Sequence, residues 1–391
     1  VKGAQYLAYR AGTVDGTVAS YTSFQNSVAN RTPIIYVGAN DGMLHAFNAN
    51  TGVEVFAFIP NAVIENLNKL TSKTYGTSTG GHQYYVDGSM TVADVYFGND
   101  WHTVLVGSLG GGGREVFALD ITNPNAPKLL WEFTSDTAST KENGVSSMGY
   151  SFPRPAIARL HDGSWAALVA NGYSSTTGKA VLYAVNIADG TLLKALPAGS
   201  AVSNGLSSVR TADVNADGVT DYAYAGDLQG NLWRFDLINA GASDALAKTP
   251  NVNASTFATA FGGQPLYTAR VSSASNASVQ PITAAPALVN HPNGLGYIVT
   301  FGTGRYLDAS DKVSPFDVQT MYGIWDRTAA GQATSGSTKR PSNRDDLQQQ
   351  TMSASSMSIG GTSKSIRLIS QNTIYWYKAN ATGTTDNDVN K

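Results

Sequence analysis

The sequence predicts an all-β chain folded as a propeller. A hairpin unit recurs along it, the composition suits pleated surfaces and tight turns, and few segments carry a helical period. Of its 391 residues, 40 are Gly, 19 Tyr, 13 Phe and 6 Trp, and only 14% are charged. Aromatic and β-branched side chains fit a half-buried pleat, and Gly supplies the backbone freedom of many turns. A chain of this length buries roughly three quarters of its unfolded surface, so a sizeable core is available.

The repeats can be followed in order. The first, IIYVGANDGMLHAFNANTG, occupies 34–52, and TVLVGSLGGGGREVFALDITNP occupies 103–124. Then come AALVANGYSSTTGKAVLYAVNIADG at 166–190 and DYAYAGDLQGNLWRFDLINAG at 221–241. GYIVTFGTGRYLD at 296–308, followed by MYGIWD at 321–326, is the last. Each reads as a short apolar strand ending in Gly or Asn, a Gly-rich turn, an alternating strand, and a second turn, which is hairpin grammar. The anchors Gly38, Gly107, Gly172, Gly226 and Gly302 stand 69, 65, 54 and 76 residues apart. A four-stranded blade with its connections fits that spacing.

Blade repeats therefore run over 32–327 of a single 1–391 domain, with 328–391 as a loop-rich closing segment. Ala62–Leu70, after Pro60, predicts one short helix, since Val63, Leu67 and Leu70 share a face. At 342–350, SNRDDLQQQ resembles a helix start with Ser342 or Asn343 as cap. The Ser, Thr, Gly and Gln content of Ala329–Ser365 predicts loop with one short helix. The polar ending TTDNDVNK and the opening at Val1, with no Met and no basic leader, read as a fragment of something longer that lacks a final strand.

Charge and cysteine content narrow the function. Lys plus Arg number 26 against 28 acids, and no long basic run occurs, which disfavours nucleic acid and anionic lipid as partners. There is no Cys, which excludes thiol catalysis, zinc–thiolate sites and disulfides. No apolar stretch of about 18 residues is present, so no transmembrane helix is expected.

The sharpest motif is DVNADGVTD at 213–221. Asp213, Asn215 and Asp217 alternate, Gly218 follows, and Asp221 closes the run. Calcium takes about six to eight oxygens, and donors at loop positions 1, 3 and 5 converge when the chain curls, with Gly at position 6 making the turn. Val219 offers its carbonyl at position 7, and Asp221 a carboxylate at position 9. Position 12 is Tyr224 rather than Glu, and DYAYAGD alternates like a strand, so the expectation is an EF-hand-like calcium loop inside a β-hairpin. An Asp/Asn turn bonding only backbone amides is the plainer reading, but it does not explain three carboxylates around one Gly.

Other candidates read as structural. Gly110–Gly113 precede a strand and lack a P-loop Lys, so a hairpin turn is expected. His45, His82, His102, His161 and His291 show no metal-ligand spacing; His45 falls in a strand and His161 in an HDG turn. Arg305 reads as an ion-pair or cation–π residue, and Asp227 as a turn cap or a support for the loop. No G-x-S-x-G elbow occurs, and no catalytic residue is assigned.

Several of these segments together resemble the PilC/PilY family of type IV pilus-associated proteins. ADVNADGVTDYAYAGDLQGNLWRFDL (212–237) is the most distinctive, joined by YVGANDGMLHAFNANTGVEVFAFIPNAV (36–63), GSLGGGGREVFALDITNP (107–124), GYSFPRPAIARL (149–160) and FGTGRYL (301–307). The similarity runs from about Thr32 to Asp346. It implies a modified seven-bladed, quinoprotein-like propeller with calcium held by Asp213, Asn215, Asp217, Val219 and Asp221. It further implies a secreted, outer-membrane-associated protein of the fimbrium, at the pilus tip or cell surface. Expected roles are pilus biogenesis, twitching motility, host adhesion and virulence, with minor pilins and a host-cell receptor as partners. In the family, calcium occupancy is linked to the balance of pilus extension and retraction. The family's variable N-terminal region, often a von Willebrand A-like domain, does not match any part of this chain.

Two other functions compete. AFNANTG and AVNIADG resemble quinoprotein repeats, which suggests a pyrroloquinoline quinone dehydrogenase using calcium. Such enzymes generally carry an adjacent Cys pair beside the cofactor, absent here, so no enzyme is expected. An integrin-like or lectin-like binding module would repeat the calcium loop in successive blades, whereas this chain has one.

Overall fold

A computed structural model describes residues 18–134, 148–238, 254–292, 294–314, 317–327, 340–350 and 352–369. Among them the chain forms six antiparallel sheets that follow one another in sequence. Sheet 1 contains β1 (Ile34–Gly38), β2 (Leu44–Asn48) and β3 (Glu54–Phe58). Sheet 2 contains β4 (Met90–Phe97), β5 (Asp100–Ser108), β6 (Glu115–Asp120) and β7 (Lys128–Thr134). Sheet 3 contains β8 (Ala156–Arg159), β9 (Trp165–Ala170), β10 (Val181–Asn186) and β11 (Leu192–Pro197). Sheet 4 contains β12 (Arg210–Ala212), β13 (Tyr222–Gly226) and β14 (Asn231–Asp236), with β15 (Ala258–Thr259) and β16 (Tyr267–Thr268) both on β14. Sheet 5 contains β17 (Ala287–Asn290), β18 (Tyr297–Gly302) and β19 (Met321–Asp326), and sheet 6 is the hairpin of β20 (Met352–Ile359) and β21 (Thr362–Ile369).

Strand alternation explains how the sheets stack. In β9, Trp165, Ala167 and Val169 enter the core shared with sheet 2, while Ala166, Leu168 and Ala170 enter the core shared with sheet 4. A strand covered on both faces needs an unbroken apolar run, which is what WAALVA supplies. The same division recurs on both sides. Leu44 packs with Leu105 and Phe117 between sheets 1 and 2, and Tyr224 with Val299 and Phe301 between sheets 4 and 5. The Trp131 indole nitrogen donates to the Ile187 carbonyl at 2.9 Å, a bond that ties sheet 2 to sheet 3. Strands β4, β8, β12 and β17, the first of their sheets, touch in succession, which is how a propeller arranges its inner strands.

Four of the five glycine anchors, all but Gly302, sit where a neighbouring residue comes too close for a side chain. A Cβ on Gly226, at the end of β13, would stand 2.2 Å from the Ile282 side chain. At Gly172, φ is +69° and the Tyr150 carbonyl would be 2.0 Å away.

The helical expectations need correction. Helix α1 (Val18–Val28) packs Tyr21 and Phe24 onto the core between sheets 2 and 3. The helix expected at Ala62–Leu70 is two short pieces, α2 (Asn61–Ile64) and a 3₁₀ turn (Leu67–Thr71). At 342–350 the helix start shrinks to a 3₁₀ turn (Arg344–Asp346), with an Asn343–Asp346 capping box. A hairpin at 352–369 begins within the segment expected to be loop, its strands joined by Gly360 and Gly361, both at positive φ as a two-residue hairpin turn requires. Residues 329–339 of that segment and the 384–391 ending lie outside the described residues.

Candidate functional site: a carboxylate loop between two inner strands

The 213–221 loop joins β12 to β13, with Ala212 paired to Tyr222 at its base, so it lies inside a hairpin as its sequence predicts. It belongs to the same set of first-to-second-strand turns as Leu160–Ser164 in sheet 3. The loop is built from nested Asx turns. The Asp217 amide donates to Asp213 Oδ1 and Asn215 Oδ1, each at 3.2 Å. The Gly218 amide donates to Asp213 Oδ2 at 2.9 Å, and the Val219 amide to Asp217 Oδ1 at 2.8 Å. Gly218, at φ +87°, makes the reversal, and Ala216 takes a left-handed φ of +60°.

Asp213, Asn215 and Asp217 are thus joined by direct hydrogen bonds. Asp221 sits deeper, with no solvent exposure, where its Oδ2 accepts from the Val214 amide at 2.6 Å. Its Oδ1 lies 2.8 Å from Nε2 of the equally buried His161. The Tyr297 hydroxyl of β18 donates to the Asp213 carbonyl at 3.4 Å, and the Thr220 amide to the Arg159 carbonyl at 2.8 Å. Sheets 3, 4 and 5 all hold the loop.

The carboxylates oppose one another. Burial pushes Asp213 up to about 6, helped by the Asp221 and Asp217 charges and resisted by the Gly218 amide. Burial likewise raises Asp221, against the His161 hydrogen bond, which favours its ionised form. Among the described residues, no three His, Asp or Glu side chains converge tightly enough to hold a metal alone. A cation here needs the Asn215 oxygen and a main-chain carbonyl as well, the mixed oxygen set that suits calcium. Each oxygen of Asp213 accepts one amide and so keeps a lone pair that can face an ion.

His161 and Tyr297 escape a sequence reading, since they meet the loop from other sheets. The one signal for His161 is that its HDG turn occupies the position in sheet 3 that the loop occupies in sheet 4. Asp227 caps the β13–β14 turn, accepting from the amides of Gln229 and Asn231 and the Trp233 indole at 2.8–2.9 Å. Arg305 pairs with Asp311 at 2.7 Å, and His45 lies between Glu54 and Asp41 at 2.6 and 2.9 Å. Gly110–Gly112 form a 3₁₀ turn between β5 and β6, in keeping with a hairpin connection.

The sequence profile of a known family, described as the PilY1 beta-propeller domain, matches residues 1–363. The chain belongs to the PilY1 β-propeller family. The type IV pilus biogenesis factor PilY1 of Pseudomonas aeruginosa strain UCBPP-PA14 is 47% identical over 398 residues, covering 99% of this chain and 33% of the relative. A PilY1 homolog of Xylella fastidiosa is 40% identical over 324 residues, covering 78% of this chain and 20% of the relative. The chain spans about a third or less of the length of these curated relatives. The crystal structure of the P. aeruginosa PilY1 C-terminal domain superposes with a TM-score of 0.78 at 47% identity, covering 94% of this chain and 72% of that one. PilY1 membership accounts for the propeller and bears out the resemblance carried by the 212–237 and 107–124 segments.

Proposed function

We propose that this chain is a calcium-binding, non-enzymatic propeller through which a type IV pilus biogenesis factor supports pilus assembly, twitching motility and adhesion. The observation that carries the reading is the 213–221 loop of nested Asx turns, in a chain of the PilY1 family. The ion is bound by the side chains of Asp213, Asn215, Asp217 and Asp221 and by the Val219 carbonyl. Calcium supplies positive charge that neutralises three crowded carboxylates and fixes the loop against sheets 3 and 5. His161 and the Val214 amide orient Asp221, as outer partners commonly do for a metal ligand.

The relatives' name, pilus biogenesis factor, supports the pilus assignment. On this reading the domain is the C-terminal propeller of a secreted protein of the fimbrium. It contacts minor pilins at the pilus tip and presents loops to a host-cell surface. A modified seven-bladed ring completes the architecture, of which six sheets fall among the described residues.

The test is pilus assembly and twitching in cells whose native protein carries Asp213→Ala, with surface levels measured in parallel. Reduced motility at an unchanged surface level is expected. Normal motility at normal levels would reduce the ion to a structural part.

A further inference from the structure

The segment that leads from sheet 2 into sheet 3 turns its rings toward solvent. Burial alternates residue by residue along it: Ser151, Pro153 and Pro155 are buried, whereas Tyr150, Phe152 and Arg154 are exposed. A surface segment ordinarily tucks its large apolar side chains inward, so two neighbouring rings at 38% and 42% exposure call for a reason. The corresponding approach to sheet 4, Asn204–Ser207, is buried throughout and contains no ring.

Two arginines flank the rings. The Arg114 guanidinium lies 5.2 Å from the Tyr150 ring centroid and is held there by donating to the Ser174 carbonyl at 2.9 Å. Arg154, two residues past Phe152, donates to Thr91 Oγ1 at 3.0 Å. Neither arginine has a carboxylate partner among the described residues. The Tyr150 and Phe152 rings stand 6.5 Å apart and are inclined at 53°, which makes a shallow trough with cations beside it. Tyr84, 55% exposed, adds a third ring across the β5–β6 turn, 3.1 Å from where a side chain on Gly111 would begin. The trough lies at the end of the sheets that carries the second-to-third-strand turns, opposite to the 213–221 loop.

We propose that this trough binds a carboxylate-bearing glycan, with sugar faces on Tyr150 and Phe152 and acidic groups on Arg114 and Arg154. The C–H faces of a sugar ring are weakly positive and suit the negative face of an aromatic ring. A guanidinium takes a carboxylate through charge-assisted hydrogen bonds, and these two have no internal acid to compete. The main chain argues against a peptide that pairs as an added strand. Tyr150 and Tyr173 exchange both of their hydrogen bonds, at 2.7 and 3.2 Å. The Ser151 amide donates to the Gly113 carbonyl at 3.1 Å, and the Ser151 carbonyl accepts from the Gly110 amide at 3.3 Å, so the segment offers no open edge.

The full chain, with chelator present so that calcium plays no part, is applied to an array of uronate-bearing, sialylated and neutral glycans. Those retained are titrated by calorimetry, with hexaproline titrated in parallel as a peptide probe. Carboxylated glycans should bind about tenfold more tightly than their neutral counterparts. Tyr150→Ala and Phe152→Ala should each weaken that binding about three- to tenfold, and Arg114→Gln about tenfold. Tyr306→Ala, which removes an exposed ring from the β18–β19 connection, should leave it unchanged. Melting temperatures matching the parent confirm that the variants fold. Retention of no carboxylated glycan, equal affinity for neutral ones, or binding indifferent to the Tyr150 and Arg114 changes overturns the proposal. Binding of hexaproline with no glycan retained overturns it as well and assigns the trough to a Pro-rich peptide.

Discussion

Glu115 offers a stability experiment whose magnitude follows from its surroundings. It sits in β6 with no solvent exposure, beside the Glu132 carboxylate. Its Oε2 accepts from the Ala62 amide at 3.2 Å, and its Oε1 has no hydrogen-bond partner. Burial first, and Glu132 second, push its carboxyl up to about 8. At pH 7 the folded protein therefore retains a proton that the unfolded chain has released. Its folded pKa lies above its unfolded value near 4.5, so stability falls as pH rises between those values and levels off above about 8. At about 1.4 kcal/mol per pH unit, the penalty by pH 7 is about 3 kcal/mol. Glu115→Gln keeps an oxygen for the Ala62 amide, cannot ionise, and gains an NH₂ that can reach Glu132. The variant should be more stable by about 2–3 kcal/mol at pH 7 and equal to the parent near pH 4.5. Denaturant unfolding of both proteins from pH 4.5 to 8.5 measures this. A variant no more stable than the parent at pH 7, or a gap that does not widen with pH, refutes the reasoning.

Three further outcomes follow. His161→Ala removes the imidazole from Asp221 and should weaken calcium binding by about 10- to 100-fold, read by competition with a chelating dye; unchanged affinity would remove His161 from the site. Calcium binding must displace the proton from Asp213, whose carboxyl stands at about 6 without the ion, so affinity should fall by about tenfold per unit below pH 6; a flat profile from pH 7 to 5 would contradict this. Arg234, 1% exposed, pairs with Asp236 at 2.7 Å and Asp326 at 2.8 Å and lies over the Tyr222 ring. Arg234→Met should cost about 3–5 kcal/mol in chemical unfolding by leaving both carboxylates buried without their cation, and a loss below about 1 kcal/mol would show the cluster to be dispensable.

Much of the fold is legible because it is local. IIYVG becomes β1 of sheet 1, TVLVG, WAALVA and YAYAG become the second strands of sheets 2 to 4, and the Asx grammar of 213–221 becomes a hairpin loop. The hairpin at 352–369 is obscured because Ser fills its polar positions, a composition that also describes loops. Helix α1 is easily passed over, since VASYTSFQNSV is rich in Ser and Thr and its burial depends on Tyr21 and Phe24 meeting the core of sheets 2 and 3. His161 stands 60 residues from Asp221, and the Tyr224–Asp326 bond spans 102 residues. Partners so far apart are set by the order of blades around the ring, which no local pattern encodes.

Calorimetric titration of calcium into the chelator-stripped chain, run beside Asp213→Ala, bears most directly on the site. The parent should bind one ion with a clear heat, and the variant should show none while keeping the parent's far-ultraviolet circular dichroism. A parent that binds no calcium, or a folded variant that binds it equally well, would contradict the assignment of the 213–221 loop.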